Sequence, residues 1–182
     1  MNPAAFKLED QIRGQYSVTI DSKGRVGLPT DLREHIDGKV LVIKWKDHLK
    51  VIKPEKFNQL AGFVGNRVSV NGEAGGQNFF NPKTQRDRRH FFGNMFDLSF
   101  DTQGRLTIPK ELRESMGYVS DLLWIGCSDY VELWSKKAYE ADCARWEGAG
   151  GYDELFTAPL PDTPSAPITD APGGEGNDRE QA

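Results

Sequence analysis

Short apolar runs separated by turn residues dominate the first half of the chain. "QYSVTI" from Gln15 alternates polar and apolar positions and predicts a strand; "DSKG" predicts a turn and "RVGL" a second short strand. "PTDLREHI" predicts a short helix with Pro29 near its first turn, where a missing N–H costs nothing. The β-branched runs "KVLVIKW" and "LKVIKP" around "KDH" predict a hairpin, and "PEKFNQL" opens another helix.

The same grammar returns 80 positions later (101 − 21 = 80). "FDLSF" is a strand, "DTQG" a turn, "RLTI" a strand and "PKELRESM" a helix. "DLLWIG" and "YVELW" around "CSD" form the hairpin, and "SKKAYEADCARW" a helix with Ser135 as N-cap. Trp45 and Ile125 are also 80 apart, as are Lys50 and Tyr130, so the repeat is expected to continue without a gap. Such self-similarity reads as an internal duplication. Each copy has too little surface to bury a sheet face alone, so the two are expected to pack into one composite α+β domain.

Five segments follow: a loose arm over 1–11, a first repeat over 12–57, a connector over 58–95, a second repeat with its C-terminal helix over 96–147, and a tail over 148–182. The connector begins as a Gly- and Asn-rich loop with room for a short strand or ribbon. It ends in "KTQRDRRHFFGNM", which places Arg86, Arg89 and Phe92 at helical spacing. The tail is rich in Pro, Gly and acid, with too little apolar surface to offset its ordering entropy, and is expected to be disordered.

Charge sharpens this division. The chain carries 23 Lys+Arg and 27 Asp+Glu; the tail holds 1 and 7 of them, which leaves 22 and 20 for residues 1–147. The overall acidity therefore belongs to the tail, and anion binding has to be judged locally. No run approaches the ~20 apolar residues of a membrane helix, and the first residues lack the pattern of a secretory signal. A soluble cytoplasmic protein is expected.

No enzyme site assembles from the sequence. His35, His48 and His90 sit in unrelated segments without ligand spacing, Cys127 and Cys143 lack metal-type spacing, and "GxxxxGK" is absent. Neither catalysis, nor a metal, nor a cofactor is expected. Cys127 reads as a core thiol, and the aromatics at 124, 134, 139 and 146 fall at core spacing.

Within the repeated phrase, Asp21 and Gly24 are explained by a turn: an Asp that accepts backbone N–H bonds, and a Gly that supplies the left-handed conformation. Asp101 and Gly104 repeat it. Arg25 and Arg105 follow the Gly in both copies, and no turn type demands Arg there. Each could pair back to its Asp or project toward an external anion. An exposed ion pair contributes only about 0–1 kcal/mol, whereas a guanidinium held at a hairpin tip suits bidentate contact with phosphate or guanine. Arg13 and Lys23 add positive charge near the first turn; Gln103 replaces Lys23 in the second. Arg33 and Arg113, each beside a Glu, read as solvated helix positions; Arg86, Arg88 and Arg89 read as a solvated or inter-helix salt-bridged face, ahead of DNA contact.

The double phrase "DSKGRVGLP…LRE" and "DTQGRLTIP…LRE", closed by "LLWIG…YVELWS", resembles the MraZ family of bacterial transcriptional regulators. One copy, "DxxGRhxhP" with h apolar, is similar to the AbrB/SpoVT-type swapped-hairpin DNA-binding domain. "IRG" near the start and "RDRRHFFGN" fit the same family. The resemblance spans roughly Ile12 to Trp146; the arm and the acidic tail lie outside it, and the connector is long for the family.

It implies two tandem swapped-hairpin β-barrel repeats with short flanking helices and a ring-shaped homo-oligomer. It also implies binding to double-stranded DNA at direct repeats in the promoter of the division and cell-wall gene cluster, hence association with the nucleoid. Arg25 inherits the DNA-contacting role, with Arg105, Lys23 and Arg13 beside it. The competing expectation is an oligomeric scaffold of the same fold that does not bind DNA.

Overall fold

A computed structural model of the chain describes residues 11–57 and 82–157. The first repeat contains β1 (Gln15–Thr19), β2 (Arg25–Gly27), α1 (Thr30–Arg33), β3 (Lys39–Trp45) and β4 (His48–Ile52). A helical turn follows over residues 54–57. After α2 (Pro82–Phe92) the second repeat supplies β5 (Met95–Ser99), β6 (Arg105–Thr107), α3 (Lys110–Met116), β7 (Asp121–Gly126) and β8 (Val131–Ser135). Helices α4 (Lys136–Gly148) and α5 (Gly151–Thr157) complete the described chain. The fold is the expected mixture of strands and short helices. The expected Gly/Asn-rich ribbon and most of the arm lie outside the described residues.

Six strands form one antiparallel sheet in the order β1-β7-β8-β4-β3-β5, and β2 pairs with β6 as a separate two-stranded ribbon. The edge strand β1 of the first repeat pairs with β7 of the second, and β5 pairs with β3 in return. Neither repeat completes a sheet by itself. Single bridges, Ile20 to Val26 and Phe100 to Leu106, tie β1 and β5 to the ribbon, which thereby closes the eight strands around one core.

Exchanging the repeats maps the sheet onto itself, so a pseudo-twofold axis runs between β4 and β8 and through the ribbon. Leu49, Val51, Val131 and Leu133 are fully buried on one face of the central strand pair. Val26 and Leu106 plug the opposite side of the core, the helices add Leu32, Leu112 and Met116, and Ile36 joins them just after α1. Burial of each such side chain stabilises the fold by roughly 1.5–3 kcal/mol. Cutting Leu133 back to Ala would cost about 2–5 kcal/mol through the cavity it leaves.

The register corrects the expected gapless repeat. Val18 pairs Leu122 while Leu98 pairs Val40, so Val40 corresponds to Leu122, an offset of 82 (122 − 40) instead of 80. The second repeat has two extra residues among 117–119: Ile20 N donates to Ser120 O, and Phe100 N donates to Gly38 O. The insertion follows the left-handed Gly117 that ends α3, buries Tyr118 so that its hydroxyl donates to Leu133 O, and leaves Val119 outside. Sequence offset alone could not see this, because the identical phrase ends before the insertion begins.

With the corrected offset, Lys50 and Glu132 are pseudo-twofold mates and face each other directly across β4 and β8. Lys50 Nζ donates to Glu132 Oε1 at 3.0 Å and to Tyr130 Oη at 3.0 Å. Trp134 Nε1 donates to Glu132 Oε2, and His48 Nε2 stands 3.1 Å from Oε1 while its ring stacks on Trp134. Burial opposes the Glu132 charge, but the surrounding donors His48, Trp134 and Lys50 outweigh it and hold the carboxyl at about 2. No sequence motif announced this cluster. Its members lie on β4 and on or just before β8, strands of different repeats that meet only across the pseudo-twofold axis.

Two further expectations change. Trp146 is not core but 41% exposed, and it meets Tyr152 edge to face. The tail is not irregular from Gly148 onward: residues 151–157 form α5, with Asp153 and Glu154 in its first turn. Carboxylates there complement the helix dipole, and the Trp146–Tyr152 contact adds the apolar anchor that composition averages hide. By contrast Ser135 caps α4 as the sequence suggested, its hydroxyl accepting from Ala138 N.

Candidate nucleic-acid interface

Each repeated turn is built around its Asp. Asp21 O accepts from Gly24 N, while Asp21 Oδ1 accepts from the backbone N–H groups of Lys23 and Arg25, each at 2.9 Å. Asp101 makes the same bonds with Gly104, Gln103 and Arg105. Gly24 and Gly104 take φ of +80° and +71°, the left-handed region that disfavours a Cβ. Hydrogen bonds from the Arg25 and Arg105 backbones, together with the facing guanidinium, hold both carboxyls below the usual aspartate range.

The guanidinium groups pair back to these carboxylates. Arg25 Nε lies 2.7 Å from Asp21 Oδ2 and Nη2 a further 2.7 Å contact away on the same oxygen; Arg105 repeats this with Asp101 at 2.9 and 2.8 Å. The pairing takes two of the five guanidinium N–H donors and fixes the plane. Both arginines remain about one-third exposed, at 31% and 33%. Turn-locking and availability to an outside acceptor are therefore compatible: the Asp orients the group that an acceptor would meet.

The ribbon brings the two turns together. Arg25 pairs opposite Thr107, Val26 opposite Leu106, and Gly27 opposite Arg105. Val26 and Leu106 point into the core, so alternation places Arg25, Gly27, Arg105 and Thr107 on the outer face. Leu28 N donates to Gly104 O and Ile108 N to Gly24 O, which stitches each turn to the other repeat.

Arg33 is exposed, as the expected solvated position would be, and Arg113 is half-buried, but both also lie against the opposite turn. A Cβ on Gly104 would lie 2.4 Å from Arg33 Nε, and one on Gly24 would lie 2.6 Å from Arg113 Nε. Each helix arginine thus crosses the other repeat's turn. Arg33 Nε donates to Leu28 O at 2.7 Å, whereas Arg113 Nε is buried without a hydrogen-bond partner among the described residues. The available signal was the recurrence of "LRE" at the same spacing as the turn arginines.

Lys23 is exposed on the first turn. Arg13 is not beside it. It precedes β1, and its backbone packs on Gly126 at the far end of β7, so the length of β1, roughly 16 Å, separates it from the turn. Arg86 and Arg89 are exposed and Arg88 half-buried on α2, where Lys83 pairs with Asp87. Among the described residues no cluster of three or more His, Cys, Asp or Glu could hold a metal, and no helix is long and apolar enough to cross a membrane. Burial raises the Cys127 thiol to about 11, so the thiolate a nucleophile needs is scarce at neutral pH.

The fold and its rim define a class: a duplicated protein whose two β-hairpin units exchange strands and present paired Asp–Arg turns. The chain belongs to the MraZ family, whose family model, described as MraZ protein, matches residues 12–64 and 91–147. The "Transcriptional regulator MraZ" of Thermoanaerobacter sp. (strain X514) is 34% identical over 134 residues, covering 71% of this chain and 84% of that protein. The Corynebacterium urealyticum protein of the same name is 30% identical over 79% of this chain and 95% of its own length. That of Bifidobacterium longum is 29% identical over 82% and 92%. These relatives are regulators by name and not enzymes.

Proposed function

We propose that this chain is a sequence-specific DNA-binding transcriptional regulator, a repressor that reads double-stranded DNA with the outer face of the β2–β6 ribbon. The supporting observation is the ribbon itself. It carries Arg25 and Arg105 outward on a rigid two-stranded element, each oriented by a carboxylate. The major groove of B-DNA admits a two-stranded β-ribbon, and arginine is its most frequent guanine reader. Arg25 reads a base, Lys23 neutralises phosphate, and Arg105 repeats the Arg25 contact with less charge around it, since Gln103 stands where Lys23 would.

Residues 1–147 carry little net positive charge, so one protomer supplies few phosphate contacts. A ring-like homo-oligomer on tandem promoter repeats multiplies the effective concentration and restores affinity. In this reading the operator lies in the promoter of the division and cell-wall gene cluster, and the protein works in the cytoplasm on the nucleoid. Arg13, distant from the rim within one chain, serves the first turn only if an adjacent protomer brings it there.

The test is a mobility shift on the DNA just upstream of this protein's own gene, at two salt concentrations. Arg25→Ala should cost about 1–3 kcal/mol of specific binding, while Lys23→Ala should lower the salt slope by about 1. Undiminished affinity in Arg25→Ala would refute the base-reading role. The scaffold reading draws on the Asp pairing, which occupies part of each guanidinium; it requires that no salt-dependent shift occurs with any upstream DNA.

A further inference from the structure

The outer face of the ribbon is nearly symmetric in its arginines but not in the residues beside them. Arg25 has Thr107 directly across the ladder; Arg105, its pseudo-twofold mate, has Gly27. Glycine weakens a strand, and its usual justifications are a left-handed backbone or a close neighbour. Neither applies to Gly27. Its φ lies outside the left-handed region, and a Cβ there would meet nothing within 4 Å among the described residues.

The fold also holds this peptide in place: Trp124, fully buried, donates its indole N–H to Gly27 O at 2.9 Å. The corresponding position in the first repeat is Val42, which has no such donor. Gly27 is thus a pinned, bare patch of main chain on the face that carries both arginines.

We infer that Gly27 and Thr107 determine the polarity with which the ribbon reads DNA. This rests on the DNA-binding reading above. At the Arg105 corner, bare main chain lets a base edge or sugar-phosphate strand come closer than any side chain would permit. At the Arg25 corner, Thr107 sets a methyl and a hydroxyl beside the guanidinium, a combination that fits a thymine methyl next to the base Arg25 takes. The two turns, already unequal in charge through Lys23 and Gln103, thereby also prefer different neighbours, and a protomer distinguishes the two directions of a short repeat.

The experiment compares the full-length wild type with Gly27→Thr, Thr107→Gly and the double exchange on the duplex upstream of the gene and on a scrambled duplex. Melting temperature and assembly mass are measured alongside. Gly27→Thr is expected to leave mass unchanged and melting no lower than in the wild type, to weaken binding to the upstream duplex about tenfold or more, and to leave scrambled-duplex binding unchanged. Thr107→Gly should lose discrimination when thymines in the upstream duplex are replaced by deoxyuridine. Wild-type binding retained by both single variants would overturn the assignment while leaving DNA binding intact. A loss of affinity accompanied by a change in assembly mass would assign Gly27 to contact with a second copy and also overturn it. Failure of the wild type to bind the upstream duplex at low salt would remove the function reading itself, and this inference with it.

Discussion

Arg113, on the helix of the second repeat, lies across Gly24 in the turn of the first, and Arg33 lies across Gly104 in return. Each turn arginine is therefore shaped by its own repeat through Asp21 or Asp101 and braced by the other. Substituting either glycine meets a left-handed backbone and a guanidinium already in contact, and at Gly24 the Ile108 carbonyl oxygen as well.

Gly24→Ala is expected to destabilise the fold by about 1–3 kcal/mol, read as a fall in denaturation midpoint. Adding Arg113→Ala should relieve the clash with the guanidinium and leave the left-handed backbone, about 1 kcal/mol, together with the approach to Ile108 O at 2.9 Å. The two changes should thus be coupled in a double-mutant cycle. Strict additivity would show that the arginine does not rest on the turn.

Acid should weaken the sheet at the Glu132 cluster. The folded carboxyl titrates at about 2 against an ordinary 4.5. A depressed carboxylate contributes stability that is complete above the ordinary value and is lost as pH falls through the folded one. The loss therefore belongs between pH 4.5 and 2. Glu132→Gln should be less stable than wild type at neutral pH, and the gap should close across that window in thermal melts. A gap that stays constant with pH would separate the stability of the sheet from the Glu132 charge. Asp21 and Asp101 shift in the same direction, but they are exposed and remain present in both proteins.

The two-residue insertion among 117–119 supplies a third test. Tyr118 is buried, and its hydroxyl donates to Leu133 O at the centre of the sheet. Tyr118→Phe keeps the ring and removes the donor, so it should cost about 1 kcal/mol for the lost hydrogen bond, Leu133 remaining in the ladder. Val119 is 85% exposed, and Val119→Ser should leave the melting temperature within experimental error. Equal effects from the two would contradict the burial of Tyr118.

Much of the candidate site was legible because its chemistry is local. Asp21 reaches the N–H groups of residues two and four positions on, and Gly24 answers a backbone demand within the same turn; "DSKGR" contains every group required. The strands and short helices were legible for the same reason, since alternation and helix-start signals act over a few residues. Arg33 and Arg113 escaped because a solvated helix arginine and one lying on another repeat's turn look identical in sequence. Arg13 appeared close to Arg25 along the chain, yet an extended strand carries the two apart.

By itself the sequence determined that the chain is duplicated, that each copy makes a turn-strand-helix-hairpin unit, and that an arginine follows each turn. These depend on contacts within a few residues, and the repeated phrase states them twice. The tertiary structure alone decided which strand pairs with which, where the 80-residue offset becomes 82, and that Lys50 faces Glu132 across the axis. Strand partners are chosen by burial of a shared core between segments far apart in the chain. An unexchanged sheet and an exchanged one share the same local pattern, and it is in the closed arrangement that Val26 and Leu106 lie completely buried.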